Sequence, residues 1–479
     1  MLASPVRGSR TGWGGDVVDH SGAQRGHDEP TQAPSSPANR VDALTGLRAV
    51  AVLLVVGTHA AFATGKLTHG YVGLVYARLE IGVPIFFVLS GFLLFGPWVR
   101  AAASGTAPPM VDRYALRRVR RVMPAYVVTV LLVFVVFQFF TPGPNPGQTW
   151  LGLFRYLTLT QIYTDNYLST FAHHGLSQMW SLAVEAAFYA ALPLLAYLLL
   201  VVVCDRRWRP GLLLTGLAAL ATVSPIWLTV LHTTDWLPNS AGMWLPAHLA
   251  YFVGGMMLAV AQAIGVRCYA WTVIPLALVT YLIASTPIAG DVTISPEGLW
   301  EPLTKTVLYA TIATLVVAPL ALGDRGRYAR LLSGRPMVKL GEISYEIFLL
   351  HVVVMAIAMD AVLRWPLFTG SIVGLFTVTL VITIPLAWQL RRRANPETRQ
   401  VPPARHQFGP WRSRRSPDCA VAYRIIDRTF LDATSPTPPS RRPSRTPRSI
   451  ARSTAAGTAH SPPAATPSAA RSPAPEMQT

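Results

Sequence analysis

Between residues 41 and 390 the chain alternates long apolar runs with short polar ones. Ten runs are of a length that crosses a bilayer core as a helix, about 20 residues. They fall near 43–64, 80–99, 123–140, 180–203, 211–231, 246–264, 271–286, 303–322, 338–362 and 369–390. The pattern predicts an all-α fold, a polytopic bundle of about ten transmembrane helices. The polar runs between them carry their positive charge unevenly. Arg100, Arg113, Arg117, Arg118, Arg120 and Arg121 crowd 100–122, three arginines lie in 204–210, Arg267 in 265–270, and four in 323–337. The alternate runs hold only Lys66, Arg78, Arg155, Lys305 and Arg364. Because cationic loops stay on the cytoplasmic side, this asymmetry puts both termini in the cytoplasm. The run "WLGLFRYLTLTQIY", 150–163, is too short to span and carries Arg155, so an interfacial or re-entrant segment is expected there.

Composition agrees with a multi-pass protein of the cell membrane. Of the 479 residues, 51% are hydrophobic and 13% charged, and the mean hydropathy is +0.37; soluble domains carry about 25% charged residues. The net charge of +18 is mostly a property of the C-terminal end, where 391–479 hold 16 arginines against five acidic residues. Nucleic acid is therefore not an expected partner. Residues 1–40 and 391–479 are rich in Pro, Ser, Arg and Ala, a composition that cannot bury a core. Three parts follow: a disordered segment 1–40 with no signal peptide, a membrane domain 41–390, and a disordered tail 391–479. Cys204, Cys268 and Cys419 have neither metal-ligand nor disulfide spacing, and no metal is expected.

Some apolar runs carry groups that hydrocarbon penalises. In "LRAVAVLLVVGTHAAF", 47–62, Arg48 and His59 stand eleven residues apart. Eleven residues turn a helix about 1100°, close to three full turns, and rise about 16 Å. The two therefore share a face, Arg48 at the cytoplasmic mouth and His59 past the midplane. An arginine at a helix end is either an anchor or a ligand. A histidine inside a span is either a hydrogen-bonded core residue or a functional group. "MWSLAVEAAFYAALPLL" places Glu185 in the outer half of its span, with Trp180 and Ser181 before it. "LGEISYEIFLLHVVV" places His351 in the outer half too, with Tyr345 and Glu346 nearer the inside. Gly82, Ser90 and Gly91 of the second run read as packing residues that let helices approach. His59, Glu185 and His351 are thus expected at similar depth, with Arg48, Arg118 and Arg121 at the cytoplasmic face. A cluster of guanidinium groups suits a polyphosphorylated donor. A buried imidazole near a carboxylate suits removal of a proton from a hydroxyl.

Five motifs, "LTGLRAVAVLLVVGTHAAF", "IGVPIFFVLSGFLLF", "RRVRRVMPAY", "MWSLAVEAAFY" and "SYEIFLLH", occur in the order and at about the distances seen in membrane acyltransferases of the acyltransferase-3 type. The chain resembles that family over roughly 41–390. The resemblance implies O-acylation of a hydroxyl on a carbohydrate or glycosylated acceptor. It implies acyl-CoA, with acetyl-CoA the expected form, as donor substrate and no bound cofactor. It assigns the family's Arg–His motif to Arg48 and His59, its Arg-x-x-Arg to Arg118 and Arg121, and its Trp-Ser-Leu…Glu motif to Trp180, Ser181, Leu182 and Glu185. On that reading His59 and Glu185 are catalytic, Arg48, Arg118 and Arg121 bind the donor, and Trp180, Ser181, Tyr345 and His351 are supporting residues. Many relatives carry a histidine two residues before the tryptophan, where this chain has Gln178; His173 and His174 are the nearby candidates to replace it. No hydrolase-like domain follows the last span, so the membrane part is expected to handle the acyl group alone. A multi-span transporter of sugars or small molecules would also place ionisable groups within ten spans, although paired inverted repeats are not evident. A non-catalytic membrane sensor is a third class. Cell-wall glycan, exopolysaccharide, glycolipid and macrolide-like molecules all stay open as acceptor.

Overall fold

A computed structural model describes residues 37–141, 143–291 and 298–394. The segments read as disordered, 1–40 and 391–479, lie almost wholly outside the described residues. Each of the ten apolar runs is helical, and no strand occurs among the described residues. Among the described residues, nine helices are long and apolar enough to cross a membrane: α1 Val41–Ala63, α2 Gly70–Ser104, α3 Val111–Phe139, α4 Met179–Val203, α5 Pro210–Thr233, α6 Asn239–Ala263, α8 Trp300–Ala321, α9 Ser344–Val362 and α10 Ile372–Ala394. The remaining run forms the shorter α7, Ala270–Ala284. The protein is a multi-pass membrane protein built from an all-α bundle.

Two apolar cores organise the helices, and α1 belongs to both. Its first half gives Leu44, Leu47 and Ala51 to a core shared with α2, α4, α6 and α8. Its second half gives Val52, Val55, Val56 and Ala60 to a core shared with α3, α9 and α10. Helix α4 is divided in the same way, Leu182 facing one core and Ala183, Val184 and Phe188 the other. A seam therefore runs through the bundle between α1 and α4. Helix α2 crosses α6 at backbone distance. A Cβ on Gly91 would lie 2.0 Å from the Phe252 carbonyl oxygen, and one on Gly255 would lie 1.9 Å from that of Val88. Glycine is required at both positions for this contact, the packing role expected of Gly91.

The segment between α3 and α4 decides where α4 begins. It holds an eight-residue helix, Trp150–Leu157, where a non-spanning element is expected, and a second short turn, Tyr167–Thr170. It is tied to the bundle by Tyr126 Oη donating to the Tyr156 carbonyl at 2.6 Å and by Gln148 Nε2 donating to that of Phe134 at 2.8 Å. Its last residues enter the bundle. Gln178 is buried and donates from Nε2 to the carbonyls of Phe348 and Leu349, at 3.3 and 3.0 Å. Helix α4 thus starts level with the second turn of α9.

Candidate functional site

Where the seam reaches the arginine-rich end of the bundle it opens into a cavity of about 500 Å³, within the range of small-molecule sites. Its mouth is lined by Arg48 of α1, Arg118 and Arg121 of α3, and Arg391 of α10. Tyr114, Arg118 and Arg121 lie three and four residues apart on α3, so one helix face presents both arginines. Arg48, Arg118 and Arg121 are close enough to repel one another. Arg118 Nε is buried with no protein acceptor among the described residues. Acidic groups offset only part of this charge. Glu185 lines the cavity within electrostatic reach of Arg48, and Glu342 lies 3.7 Å from Arg391. Such a mouth gains from an anion whose oxygens accept from several guanidinium forks.

Glu185 stands in the wall of this cavity. Its Oε1 accepts hydrogen bonds from Ser90 Oγ and, at 2.6 Å, from Tyr189 Oη. The expected depth of Glu185 is therefore corrected: it stands with the arginines, not beside His59. The reason is the start of α4. Gln178 is already inside the bundle, and seven further residues of helix rise about 10 Å, which carries Glu185 toward the arginine end. Ser181 lines the same cavity and donates to the Gln178 carbonyl at 3.1 Å; Tyr345 lines it and donates to that of Val122 at 3.0 Å.

The inner end of the cavity is aromatic, with Phe86, Phe87 and Phe348 in its lining. Beyond Phe348, whose ring centroid is 5.8 Å from that of His351, lies a histidine pair. The rings of His59 and His351 meet edge to face with centroids 5.0 Å apart. His59 Nδ1 is 2.8 Å from the Val55 carbonyl oxygen and 3.4 Å from His351 Nε2. His351 Nδ1 is 2.8 Å from the Phe348 carbonyl oxygen. Carbonyl oxygens only accept, so both Nδ1 atoms carry hydrogen. His351 Nε2 then offers its lone pair to the Nδ1–H of His59, and the Nε2 lone pair of His59 is left to act as a base. His59 is partly accessible, whereas His351 is fully buried. The structure thus pairs His59 with His351 and places Glu185 in the arginine cavity, bonded to Ser90 and Tyr189.

Trp180 does not enter the cavity; its ring lies 5.1 Å from that of His248 on α6. His173 is held inside the segment between α3 and α4. Its Nε2–H donates to Gln148 Oε1 at 2.6 Å and its Nδ1 accepts from the Gly175 amide at 3.1 Å. Both ring nitrogens are committed, which leaves no free base to stand in for a residue at position 178. Burial, and next to it the charge of His174, lower its pKa to about 3. His174 is exposed.

Ser90, Tyr189 and Arg391 line the cavity although sequence reasoning gave them no part in the site; Ser90 and Tyr189 lie inside two of the motifs. Tyr189 had a signal, four residues past Glu185 on the same face. Ser90 sits beside Gly91 and reads as a packing residue, and Arg391 opens a run of three arginines that reads as a topology marker.

A profile for the acyltransferase domain matches residues 41–388. Among curated proteins, the peptidoglycan O-acetyltransferase OatA of Listeria monocytogenes is 31% identical over 211 residues, covering 42% of this chain and 30% of the relative. The acyltransferase MdmB of Streptomyces mycarofaciens is 28% identical over 336 residues, covering 66% and 79%. The O-acetyltransferase OatA of Staphylococcus aureus is 23% identical over 330 residues, covering 64% and 49%. The chain thus spans about a third to a half of the two OatA proteins and most of MdmB. No solved structure matches it. Apart from Arg391, the residues named in the arginine cavity and the histidine pair lie within the matched residues, which take in nine of the helices and most of α10, and the chain belongs to the acyltransferase domain family.

Proposed function

We propose that the protein is an integral O-acyltransferase of the cell membrane. It moves an acyl group, acetyl in the simplest case, from acyl-CoA to a hydroxyl of a carbohydrate or glycosylated acceptor. The observation that carries this reading is the succession along one seam of an arginine-lined cavity, an aromatic end wall and a histidine pair with one free lone pair. The names of the two OatA relatives, O-acetyltransferases, supply the reaction class. The arginine end faces the cytoplasm, where acyl-CoA is available. Arg48, Arg118 and Arg121 hold the donor's phosphates, joined by Arg391, and the donor's arm runs inward past Glu185 and Ser90. Glu185 keeps Arg48 turned into the cavity.

His59 Nε2 takes the proton from the acceptor hydroxyl as its oxygen attacks the thioester carbonyl carbon. The carbon–sulfur bond breaks, and the proton passes from His59 to the departing thiolate, giving the ester and free CoA. While His59 is positively charged, its Nδ1–H binds the Val55 carbonyl and the His351 lone pair more strongly, since a charged donor makes the stronger hydrogen bond. His351 is thereby a positioning residue.

Transfer of label from acetyl-CoA to membrane-associated or soluble glycans is the test. His59→Ala should lower kcat by about 10²-fold or more, the scale of a lost general base, with acetyl-CoA binding retained. Arg118→Ala and Arg121→Ala should raise the KM for acetyl-CoA and leave that for the acceptor unchanged. Near-normal turnover by His59→Ala would remove this site from the chemistry.

A further inference from the structure

At the end of the bundle opposite the arginines, a second cluster of polar groups surrounds the His59 side of the seam. Glu80 of α2 and Lys305 of α8 form an ion pair of 2.6 Å, and Tyr309 Oη donates to the same carboxylate oxygen, Oε1, at 2.9 Å. Among the described residues both contacts fall on Oε1, which leaves Oε2 to accept. The pair is not sealed inside the protein: the Glu80 and Lys305 side chains are 41% and 35% exposed. Charged groups inside a membrane span persist where they meet water or substrate. The Glu80 carboxylate is within electrostatic reach of His59 on one side and His248 on the other.

His248 supplies the second observation. Its Nε2 is buried and has no protein partner among the described residues, and its remaining nitrogen is engaged by the Gly242 backbone. With Nδ1–H donated to a carbonyl, Nε2 carries a lone pair that only an incoming O–H or N–H can satisfy. A buried acceptor left unsatisfied destabilises a fold, so native structures keep few of them. Aromatic rings frame the imidazole: Trp180 at 5.1 Å, and Phe87 and Tyr251 each at 5.9 Å. Trp180 is itself partly exposed. Two acceptors beside aromatic faces suit a molecule that is rich in hydroxyl donors and apolar on its ring faces.

We propose that Glu80, His248 and Trp180 form the subsite that binds the sugar of the acceptor, on the side of the seam opposite the donor. The proposal rests on the acyl-transfer reading above, because it assigns the acceptor of that reaction. Carbohydrate hydroxyls donate to Glu80 Oε2 and His248 Nε2, the ring of Trp180 borders the sugar, and the hydroxyl to be acylated is directed toward His59. Lys305 and Tyr309 are positioning residues that hold Oε1 and so orient Oε2. An anionic group such as the donor's phosphates is disfavoured beside Glu80, which keeps the two substrates on their own sides.

The test is equilibrium binding to the full chain in lipid nanodiscs, with three probes measured separately. These are acetyl-CoA, the β-1,4-linked N-acetylglucosamine tetrasaccharide, and a macrolide bearing a neutral deoxysugar. At least one of the two sugar probes should bind saturably. That affinity should fall about tenfold in Glu80→Gln and in His248→Phe, the loss of one hydrogen bond each, with acetyl-CoA binding within twofold of wild type. His248→Phe keeps an aromatic ring in place, and retained acetyl-CoA binding certifies the fold of each variant. Arg118→Ala should show the converse pattern. Sugar binding that is undiminished in both Glu80→Gln and His248→Phe overturns the subsite, as does binding of neither sugar probe by wild type. Unchanged acetyl-CoA binding in Arg118→Ala would instead overturn the donor assignment and leave the subsite standing.

Discussion

A carbonyl oxygen has no proton to give, so a ring nitrogen 2.8 Å from one must carry the hydrogen; at neutral His59 this leaves the lone pair on Nε2, the atom to which the proposed function gives the proton. Two acceptors, the Val55 carbonyl and His351 Nε2, share that hydrogen. Removing His351 leaves the carbonyl to hold the ring, so His351→Leu should cost less than His59→Ala. About a tenfold fall in kcat is expected, the worth of one hydrogen bond in a rate, with donor and acceptor KM unchanged. A loss as large as that of His59→Ala would make His351 a participant in proton transfer. Glu185→Gln should act elsewhere, raising the KM for acetyl-CoA through Arg48 and leaving kcat within a few fold; a kcat effect with unchanged KM would return Glu185 to the chemistry. Arg48 and His59 are legible in the sequence because both sit on one helix, where 3.6 residues per turn fixes their relation. The partner of His59 is not, since it comes from α9 and depends on how two helices meet.

At the scale of elements, the segment between α3 and α4 sets the depth of α4 and thereby the place of Glu185. Periodicity marks the short helix at 150–157 but carries no measure of depth; that depends on Gln178 reaching the α9 carbonyls. The segment is also pinned through the neutral imidazole of His173. A folded pKa of about 3 lies far below the value of about 6.5 for a free histidine. Above about pH 6.5 both the closed and the opened segment hold a neutral ring, and protonation has no effect on stability. As pH falls below that value the opened segment takes up a proton that the closed one refuses, so the closed form loses stability progressively down to about pH 3. At pH 5 the loss approaches about 2 kcal/mol. Hydrogen exchange in 143–178 should therefore quicken between pH 7 and pH 5 beyond the intrinsic change in exchange rate. His173→Gln should show a much flatter response. Equal pH dependence in wild type and variant would mean that another group loosens the segment.

Across the whole molecule, two features of the sequence point the same way: where the family match stops and how the arginines are distributed. The matched residues end at 388 and α10 at Ala394, so a chain ending near residue 400 keeps every group named in the cavity and the histidine pair. Such a chain should insert and retain label transfer within about twofold, well under the tenfold that a single lost contact produces; inactivity of a well-inserted chain would assign 401–479 a role in the reaction. The direction in which the bundle sits in the membrane is read from charge. Arg48, Arg118, Arg121 and Arg391 meet at one end of the seam, and the arginine-rich loops 100–122, 204–210 and 323–337 alternate with poorer ones. On the proposed function, the mouth that takes acyl-CoA faces the cytoplasm, and the excess of arginine in the loops at that end predicts the same orientation. In a background with Cys204, Cys268 and Cys419 changed to serine, Ser104→Cys at the exposed end of α2 should resist a membrane-impermeant maleimide in intact cells. Asp291→Cys, exposed in the loop after α7, should react. Reaction of Ser104→Cys and protection of Asp291→Cys would invert the bundle, place the arginine cavity outside the cell, and exclude a cytoplasmic thioester as the donor.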